Sequence, residues 1–383
     1  MCIVTQPQLY RGVLTVDLDA LASNFRRLQV AARPAECGAT VKADAYGLGL
    51  EPVAKRLARE GCKRFYVATL GEGVSLRGVL PQASIYVFDG VEAGGEEELE
   101  RHHLVPVLNS LPQMQRWGEH ARRIGVRLPG AIHIDTGMNR LGMSEYEMAV
   151  LERAPKYFEG IALDHVMTHL ACADQPGHPL NAQQIELFAR LRARLPAAPT
   201  SIGNSAATLM GGEYCGDIVR PGIALYGANP FIDREVTLDE VVHLRARVLQ
   251  VRELARPQSV GYGATATLPA GTRLATVSVG YVDGYLRSLG NRGIAAIDGV
   301  RVPVVGRVSM DLITLDVTAL PAGKVQSGTP VELVGGAVPI DELARAAGTI
   351  SYEILSSLGA RLQRVYVDAQ RSGTHSDVRA AKL

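Results

Sequence analysis

The sequence lacks an excess of charge of either sign. Among its 383 residues, 40 lysines and arginines nearly balance 39 aspartates and glutamates. Proteins that bind nucleic acids or anionic membranes electrostatically usually carry a basic excess, so we expect neither partner. The chain also lacks an apolar run long enough to span a membrane and, near Met1, the basic and apolar segments of a secretory signal. We therefore expect a cytoplasmic protein whose partner is a small molecule.

Cysteine patterns that would indicate a disulfide framework or a zinc site are also missing. The five cysteines are odd in number, and no two form a CxxC pair. The spacing of His165, His169 and Cys172 matches no familiar zinc pattern, and we expect no metal. A GxGxxG turn after the first strand is absent too, which disfavours an open dinucleotide-binding sheet.

A chain of this length predicts two domains, and the order of its apolar segments indicates where they divide. Over residues 13–230, short runs rich in Val and Ile alternate with helix-like segments, as in parallel strands joined by helices. Eight such runs predict a closed (β/α)₈ barrel of the TIM type, with an open doubly wound sheet as the alternative. The runs are Ala39–Lys42, Phe65–Ala68, Ile85–Phe88, Val105–Leu108, Ala131–Asp135, Asp164–His169, Ser201–Asn204 and Ile218–Ile223.

The pattern changes after residue 230. Residues 231–383 are predicted to form a mostly β C-terminal domain of antiparallel strands with two late helices, and Asp298–Gly299 is a hairpin turn signal. We expect residues 1–12 to contribute a strand that packs with this domain, and residues 369–383 to be a polar, frayed tail. The predicted fold class is thus α/β, a barrel followed by a mostly β domain.

Several predicted barrel strands end in polar residues, where the reactive groups of such barrels lie. Lys42, Asp135, His169 and Asn204 close four strands, and Arg220 lies in the eighth. Each alone could cap a turn, but together they predict one site at one barrel mouth. From the residues alone, Lys42 is either a lysine whose ammonium reaches water or a desolvated amine able to condense with a carbonyl.

The segment Val41–Gly49 resembles the cofactor-lysine motif of bacterial alanine racemases, which are fold-type III pyridoxal phosphate enzymes. Similarity to this family extends along nearly the whole chain, from Val16–Asn24 to Thr349–Ile354. The resemblance implies that Lys42 holds pyridoxal 5'-phosphate as a Schiff base. It also implies a homodimer whose active sites are shared between the two subunits.

Two further barrel segments carry the resemblance. Asp135–Gly142 resembles the family segment whose arginine binds the substrate carboxylate, which assigns that role to Arg140. His133 stands where many relatives have a carbamylated lysine, so we do not expect that modification here. Thr168–Asp174 resembles the segment that places a histidine near the cofactor ring, and here that residue is His169.

The resemblance also assigns the rest of the cofactor site. Arg220 would face the pyridine nitrogen and, because it is charged, keep that nitrogen unprotonated. The remaining cofactor contacts that the resemblance implies, mostly around the phosphate, are Tyr46, Asn204, Ser205, Gly222, Ile223 and Tyr352.

In the C-terminal domain, Val260–Thr265 resembles the family segment that bears the catalytic tyrosine, here Tyr262. By the same resemblance, Tyr281 narrows the substrate pocket and Met310 presents its N–H to the substrate carboxylate. Tyrosines and methionines in β domains are more often packing residues, so these roles depend on the motif alone.

The reaction that the resemblance implies is the interconversion of L-alanine and D-alanine through a pyridoxal phosphate aldimine. Two groups exchange the Cα proton on opposite faces, Lys42 and Tyr262 of the neighbouring subunit, and D-alanine supplies peptidoglycan synthesis. A decarboxylase of the same fold type and a non-catalytic cofactor-binding protein built from the barrel alone are the alternatives. The motifs around Arg140 and Tyr262 favour the racemase over both.

Overall fold

The computed structural model describes residues 10–368, so the predicted tail over 369–383 and most of the predicted first strand lie outside the described residues. The chain divides into two compact units. One, the barrel unit, runs from Leu21 to Asp239, and the other, the β unit, combines the residues up to Ala20 with those from Glu240 onward. The barrel unit thus begins later in the chain than the predicted residue 13.

The first elements are strand β1 (Gly12–Asp17) and helix α1 (Leu18–Ala32). The barrel strands are β2 (Glu36–Cys37), β3 (Ala39–Thr40), β4 (Arg64–Val67), β5 (Ser84–Val87), β6 (Val105–Leu108), β7 (Leu128–His133), β8 (Ile161–Met167), β9 (Thr200–Ser201) and β10 (Ile218–Val219). The helices among them are α2 (Lys42–Gly47), α3 (Leu50–Arg59), α4 (Leu70–Val79), α5 (Glu96–Arg101), α6 (Leu111–Arg123), α7 (Glu145–Arg153), α8 (Pro179–Arg192) and α9 (Ser205–Met210), with 3₁₀ helices at Pro155–Phe158, Gly212–Tyr214 and Ile223–Tyr226.

The nine barrel strands are all parallel and follow the order β2-β10-β9-β8-β7-β6-β5-β4-β3. β2 and β3, the two ends of this strand order, are consecutive segments of the chain separated only by Gly38, so the sheet closes into a barrel. Thr40 continues the closure by donating its N–H to the Pro221 carbonyl at 2.9 Å. The predicted eight-run barrel is therefore confirmed, but its first strand begins before the predicted run Ala39–Lys42 and is divided into β2 and β3.

Burial explains why the strand segments are apolar runs rather than alternating patterns. Side chains on both faces of a parallel barrel are covered, by the barrel interior on one side and by helices on the other. Tyr66 and Tyr86 of neighbouring strands fill the interior, with ring centroids 4.8 Å apart. Val107, Ala131 and Met167 pack against them and are almost fully buried. The barrel is therefore a filled core whose polar groups concentrate at its ends.

The β unit consists of short strands after one long one. Its elements after β1 are β11 (Val242–Glu253), β12 (Gln258–Val260), β13 (Ala266–Leu268), β14 (Arg273–Val277), β15 (Ile294–Ile297), β16 (Val300–Pro303), β17 (Ile313–Asp316), β18 (Pro330–Val334), α10 (Ile340–Ala347), α11 (Ser351–Ser356) and β19 (Gln363–Val367). Short 3₁₀ helices lie at Tyr262–Ala264, Tyr281–Asp283 and Arg287–Leu289.

The main sheet of the β unit follows the order β16-β15-β18-β11-β1-β19, with β14 paired to β11 and to β17. β1 lies between β11, to which it is antiparallel, and β19, to which it is parallel. The mostly β domain is confirmed, but this parallel pair differs from the predicted antiparallel set. The Asp298–Gly299 turn joins β15 to β16, with φ values of 49° and 77° at its two central residues.

None of the helices within residues 10–368 is long and apolar enough to cross a membrane.

Candidate active site

Lys42 lies just beyond the barrel strand that was expected to end on it. β3 ends at Thr40, and Lys42 begins α2, a turn in which Ala43, Asp44, Ala45 and Tyr46 all have left-handed backbone angles with φ between 53° and 59°. L-residues disfavour this conformation by roughly 1–2 kcal/mol each. Consecutive strained residues of this kind are found where the surrounding structure imposes a particular geometry, as at functional sites.

The electrostatic surroundings of Lys42 favour a reactive amine. Burial lowers the pKa of Lys42, and the positive charge of Arg140 lowers it further, whereas the carboxylates of Glu72 and Asp89 raise it. Because the lowering effects are larger, more of the amine is neutral at a given pH than in water. A neutral lysine amine can attack a carbonyl or accept a proton.

A small cradle lined by N–H groups and hydroxyls lies after β9 and β10. The Ser205 hydroxyl oxygen accepts the N–H groups of Gly222 and Ala224, at 2.8 and 3.2 Å. Position 222 has no room for a side chain, because a Cβ there would lie 2.2 Å from the Tyr46 hydroxyl oxygen. Ser205, Gly222 and Tyr46, three of the expected phosphate contacts, are therefore brought together.

Two other expected cofactor contacts have clear local roles. Asn204 caps α9, because its side-chain oxygen accepts the N–H of Ala207 at 3.0 Å. Ile223 begins the 3₁₀ helix that follows Gly222 and is fully buried. Both residues therefore shape the backbone around the cradle.

Arg220 follows β10 and is buried, with 4% of its surface exposed. Its guanidinium donates to the Ser201 hydroxyl and, at 2.8 Å, to the Thr168 carbonyl. Burial lowers the pKa of Arg220 to about 10, so the group still carries its charge at neutral pH. The barrel thus holds a fixed, charged donor at its centre.

Two histidines near this arginine are held neutral. Burial lowers the pKa of His133 to about 3, and the charges of Arg220 and Arg140 act in the same direction. Burial, followed by the charge of Arg220, also lowers the pKa of His169 well below its usual range. His133 is fixed by Asn109, whose side-chain oxygen lies 2.8 Å from its Nδ1.

Arg140 projects from a loop that its own strand end organises. The Asp135 carboxylate accepts the N–H groups of Gly137 and Met138, both at 2.9 Å, and that of Asn139. Arg140 is exposed within the barrel unit. Its charge nevertheless acts on Lys42, His133 and His169, which places all four at the same end of the barrel.

The remaining expected residues belong to the β unit. Tyr262 lies in the 3₁₀ helix between β12 and β13 and is 73% exposed. Tyr281 and Met310 lie on adjacent segments, joined by the N–H of Val282, which donates to the Met310 carbonyl at 3.2 Å. Both side chains, and that of Tyr352 in α11, are at least 40% exposed.

Several residues of the site were not anticipated from the sequence. Asp89 and Asn109 follow β5 and β6, so the rule that reactive groups end barrel strands could have found them. The sequence marks Glu72 only as a helix-capping residue, and no pattern assigns a contact with Arg220 to Thr168 or Ser201. The bonds that Arg220 donates to Ser201 and Thr168 depend on which strands are neighbours.

The barrel mouth combines a desolvated lysine, a buried arginine and a cradle of N–H groups and hydroxyls, and the same chain contains a β unit. These features define the class of barrel enzymes in which a lysine binds a phosphate-bearing aldehyde cofactor.

Comparison with known proteins gives the family. The alanine racemase N-terminal domain family matches residues 16–230, and the C-terminal domain family matches residues 241–366. The chain therefore belongs to the alanine racemase family, whose activity is pyridoxal phosphate-dependent.

Individual relatives agree over most of the chain. It is 47% identical to an alanine racemase of Rhodospirillum rubrum, over 93% of this chain and 96% of the relative. It is 45% identical to a catabolic alanine racemase of Mesorhizobium japonicum, over 93% of each. The crystal structure of alanine racemase from Bartonella henselae, with covalently bound pyridoxal phosphate, superposes with a TM-score of 0.90 at 36% identity, covering 93% of this chain and 99% of that one.

The residues present fit this cofactor. The Ser205 hydroxyl accepts the N–H groups of Gly222 and Ala224 and has its own proton to donate to a phosphate, and a Cβ on Gly222 would fill the space beside the Tyr46 hydroxyl. Lys42 supplies an amine with a lowered pKa for the aldehyde, and Arg220 a charged donor for a ring nitrogen.

Proposed function

We propose that Lys42 and Tyr262 are the two bases of this alanine racemase, and that Tyr262 acts on the barrel of a second copy of the chain. The observation that carries the proposal is the desolvated Lys42 amine, which shares the barrel mouth with the charge of Arg140. Racemisation requires removal of the Cα proton on one face and its return on the other, so one base alone is insufficient.

Each side chain then has a defined task. When bound, pyridoxal phosphate withdraws electrons from the substrate and makes its Cα proton acidic. Lys42 Nζ removes that proton from D-alanine, and the Tyr262 hydroxyl oxygen removes it from L-alanine. Arg140 holds the substrate carboxylate through charge-assisted hydrogen bonds, which directs the Cα–H bond toward a base. Arg220 would donate to the pyridine nitrogen of the bound cofactor, and His169 would lie beside its ring.

The homodimer is proposed because of what the β unit exposes. Large apolar side chains that are at least 40% exposed on this unit include Tyr262, Tyr281, Val282, Met310, Ile350 and Tyr352, which lie in or beside the segments expected to carry site residues. Exposed apolar patches are typical of surfaces that become covered by a partner. In this proposal Tyr281 and Met310 line the substrate pocket beside Tyr262, and the Tyr352 hydroxyl reaches the phosphate together with that of Tyr46.

We also propose that the D-alanine is used for peptidoglycan synthesis. Because one relative is a catabolic alanine racemase, the growth of a deletion strain is used to distinguish the two roles. A deletion strain that needs added D-alanine supports the proposal. A deletion strain that grows without D-alanine, but no longer on alanine as carbon source, contradicts it.

A Tyr262→Phe variant tests the two-base assignment. Because the two isomers are equally stable, we expect racemisation to fall by the same factor in both directions, by roughly 10²–10⁴ for loss of a general acid–base group. Exchange of the Cα proton with deuterated solvent should persist for D-alanine, through Lys42, and be lost for L-alanine. Proton NMR of each isomer measures both.

The controls examine the cofactor and the dimer. Borohydride reduction and peptide mapping should place the cofactor on Lys42 in the wild type and in Tyr262→Phe. Mixing Tyr262→Phe with inactive Lys42→Ala subunits should restore part of the activity, because a mixed dimer contains one intact site. Equal exchange of both isomers, an adduct on another lysine or no restoration would each contradict the proposal.

A further inference from the structure

The Glu72 carboxylate joins two backbone segments at the barrel mouth. Its Oε1 accepts the N–H of Ala43, the residue after Lys42, at 2.7 Å. Its Oε2 accepts the N–H groups of Ala68 and Thr69, at 2.8 and 3.3 Å, at the start of α4. The carboxylate therefore ties the turn that carries Lys42 to a helix that is anchored in the barrel wall.

The bond to Ala43 reaches the turn at its first left-handed residue. Ala43 is the first of the four successive left-handed residues, so it is where the backbone departs from the direction of β3. Hydrogen bonds to an ionised acceptor are about twice as strong as neutral ones. One such bond therefore offsets part of the strain of a left-handed residue.

We propose that Glu72 is a positioning residue for Lys42, because its carboxylate locks the left-handed turn that aims the lysine amine into the site. This inference rests on the proposed role of Lys42 as the cofactor lysine and base. It assigns to Glu72 a task beyond the helix capping that its sequence position indicates.

The charge of Glu72 supports the same role. The charged groups that act on Lys42 are Arg140, which lowers its pKa, and Glu72 and Asp89, which raise it. His169 lies close enough to sense the charge of Lys42 and is itself neutral. Removal of the Glu72 charge should therefore lower the pKa of Lys42 further.

The chain contains a matched control in Glu147. Ser144 and Glu147 form the same reciprocal capping box at α7 that Thr69 and Glu72 form at α4. The second oxygen of Glu147 also accepts a backbone N–H from a neighbouring segment, that of Leu111 at 3.2 Å. Glu147→Gln thus removes an equivalent cap and tie in the same unit without contacting the Lys42 turn.

The experiment compares Glu72→Gln, Glu147→Gln and Thr69→Val in the full-length protein. Glutamine has one acceptor oxygen and cannot accept from both Ala43 and α4. Thr69→Val weakens the α4 cap but leaves the Glu72 bond to Ala43, which separates capping from positioning.

The first readout is hydrogen exchange of peptides that cover residues 42–48. We expect faster exchange in Glu72→Gln only. The second is the pH midpoint for amine labelling of Lys42, measured by mass spectrometry after removal of the cofactor, which should move to lower pH in Glu72→Gln only. The third is kcat, which should fall by about tenfold to a hundredfold for a misplaced base.

Unchanged exchange and an unchanged labelling midpoint in Glu72→Gln would overturn the inference, as would equal effects in Glu147→Gln or Thr69→Val. Hydrogen exchange and amine labelling do not depend on racemisation, so they test this inference independently of the proposed function. If borohydride mapping instead finds the cofactor on another lysine, the proposed function fails while the contact between Glu72 and the turn is still tested.

Discussion

Gly222 shows how one missing side chain defines the cradle proposed for the cofactor phosphate. A Cβ there would lie 2.2 Å from the Tyr46 hydroxyl oxygen and 3.0 Å from the carbon that bears it. Tyr46 cannot easily yield, because its ring packs against Tyr226 with centroids 4.6 Å apart. The residue is therefore restricted by the space that Tyr46 occupies.

Gly222→Ala should weaken cofactor binding. The added methyl displaces Tyr46 or the backbone N–H that Ser205 accepts, and overpacking of this kind costs roughly 1–3 kcal/mol. We expect the Kd for pyridoxal phosphate to rise by about tenfold to a hundredfold, measured by absorbance titration of cofactor-free protein. Gly78→Ala is the control, because a Cβ on that α4 residue meets no atom within 4 Å. A Kd that is the same in both variants would contradict this account.

Among the elements, α8 organises the loops that carry two site residues. Its buried Gln184 donates to the Thr136 hydroxyl and to the His169 carbonyl, both at 3.1 Å, and accepts the N–H of Ala171 at 2.8 Å. Thr136 lies in the loop that leads to Arg140. A single amide therefore couples the loops after β7 and β8.

Gln184→Met should loosen both loops at once. Methionine has a similar volume but leaves the His169 carbonyl and the Ala171 N–H without this partner, which costs about 1–3 kcal/mol of stability for each, whereas the Thr136 hydroxyl keeps its bond to Thr168. We expect KM for alanine to rise and the melting temperature to fall. Gln183→Met, which changes the adjacent exposed residue of α8, should leave both values unchanged. An unaltered KM in Gln184→Met would show that the loops hold Arg140 without this residue.

At the scale of the whole molecule, buried neutral histidines predict acid sensitivity. Burial lowers the pKa of His133 to about 3 and also lowers those of His165 and His169. Between pH 6.5 and 3 the unfolded chain binds protons at His133 that the folded chain does not. Stability therefore decreases as the pH falls through this range.

His133→Gln should reduce this pH dependence. Glutamine does not titrate, so the melting temperature should fall less steeply between pH 6.5 and 4.5 in the variant than in the wild type. His102→Gln, at a more exposed position on the surface, serves as the control. The explanation fails if the two variants show the same slope.

The sequence alone predicted most of the architecture. Each of the eight apolar runs overlaps an observed barrel strand, because a strand covered on both faces is recognisable as a continuous apolar segment. The hairpin β12–β13 that flanks Tyr262 was not predicted as strands, since Gln258–Val260 and Ala266–Leu268 are short and mixed in polarity. Local patterns indicate elements well when burial is uniform along them.

The sequence by itself predicted the family and the barrel and indicated Lys42 as the proposed cofactor lysine, because these depend on periodicity and on a specific motif. The tertiary structure decided what surrounds that lysine. Ala43–Tyr46 form a left-handed turn. The N–H of Ala43 donates to Glu72, 29 positions further along the chain, and such a contact arises only when strands become neighbours. The lowered pKa of Lys42 likewise comes from burial and from the charge of Arg140 on a distant loop, which no local pattern records.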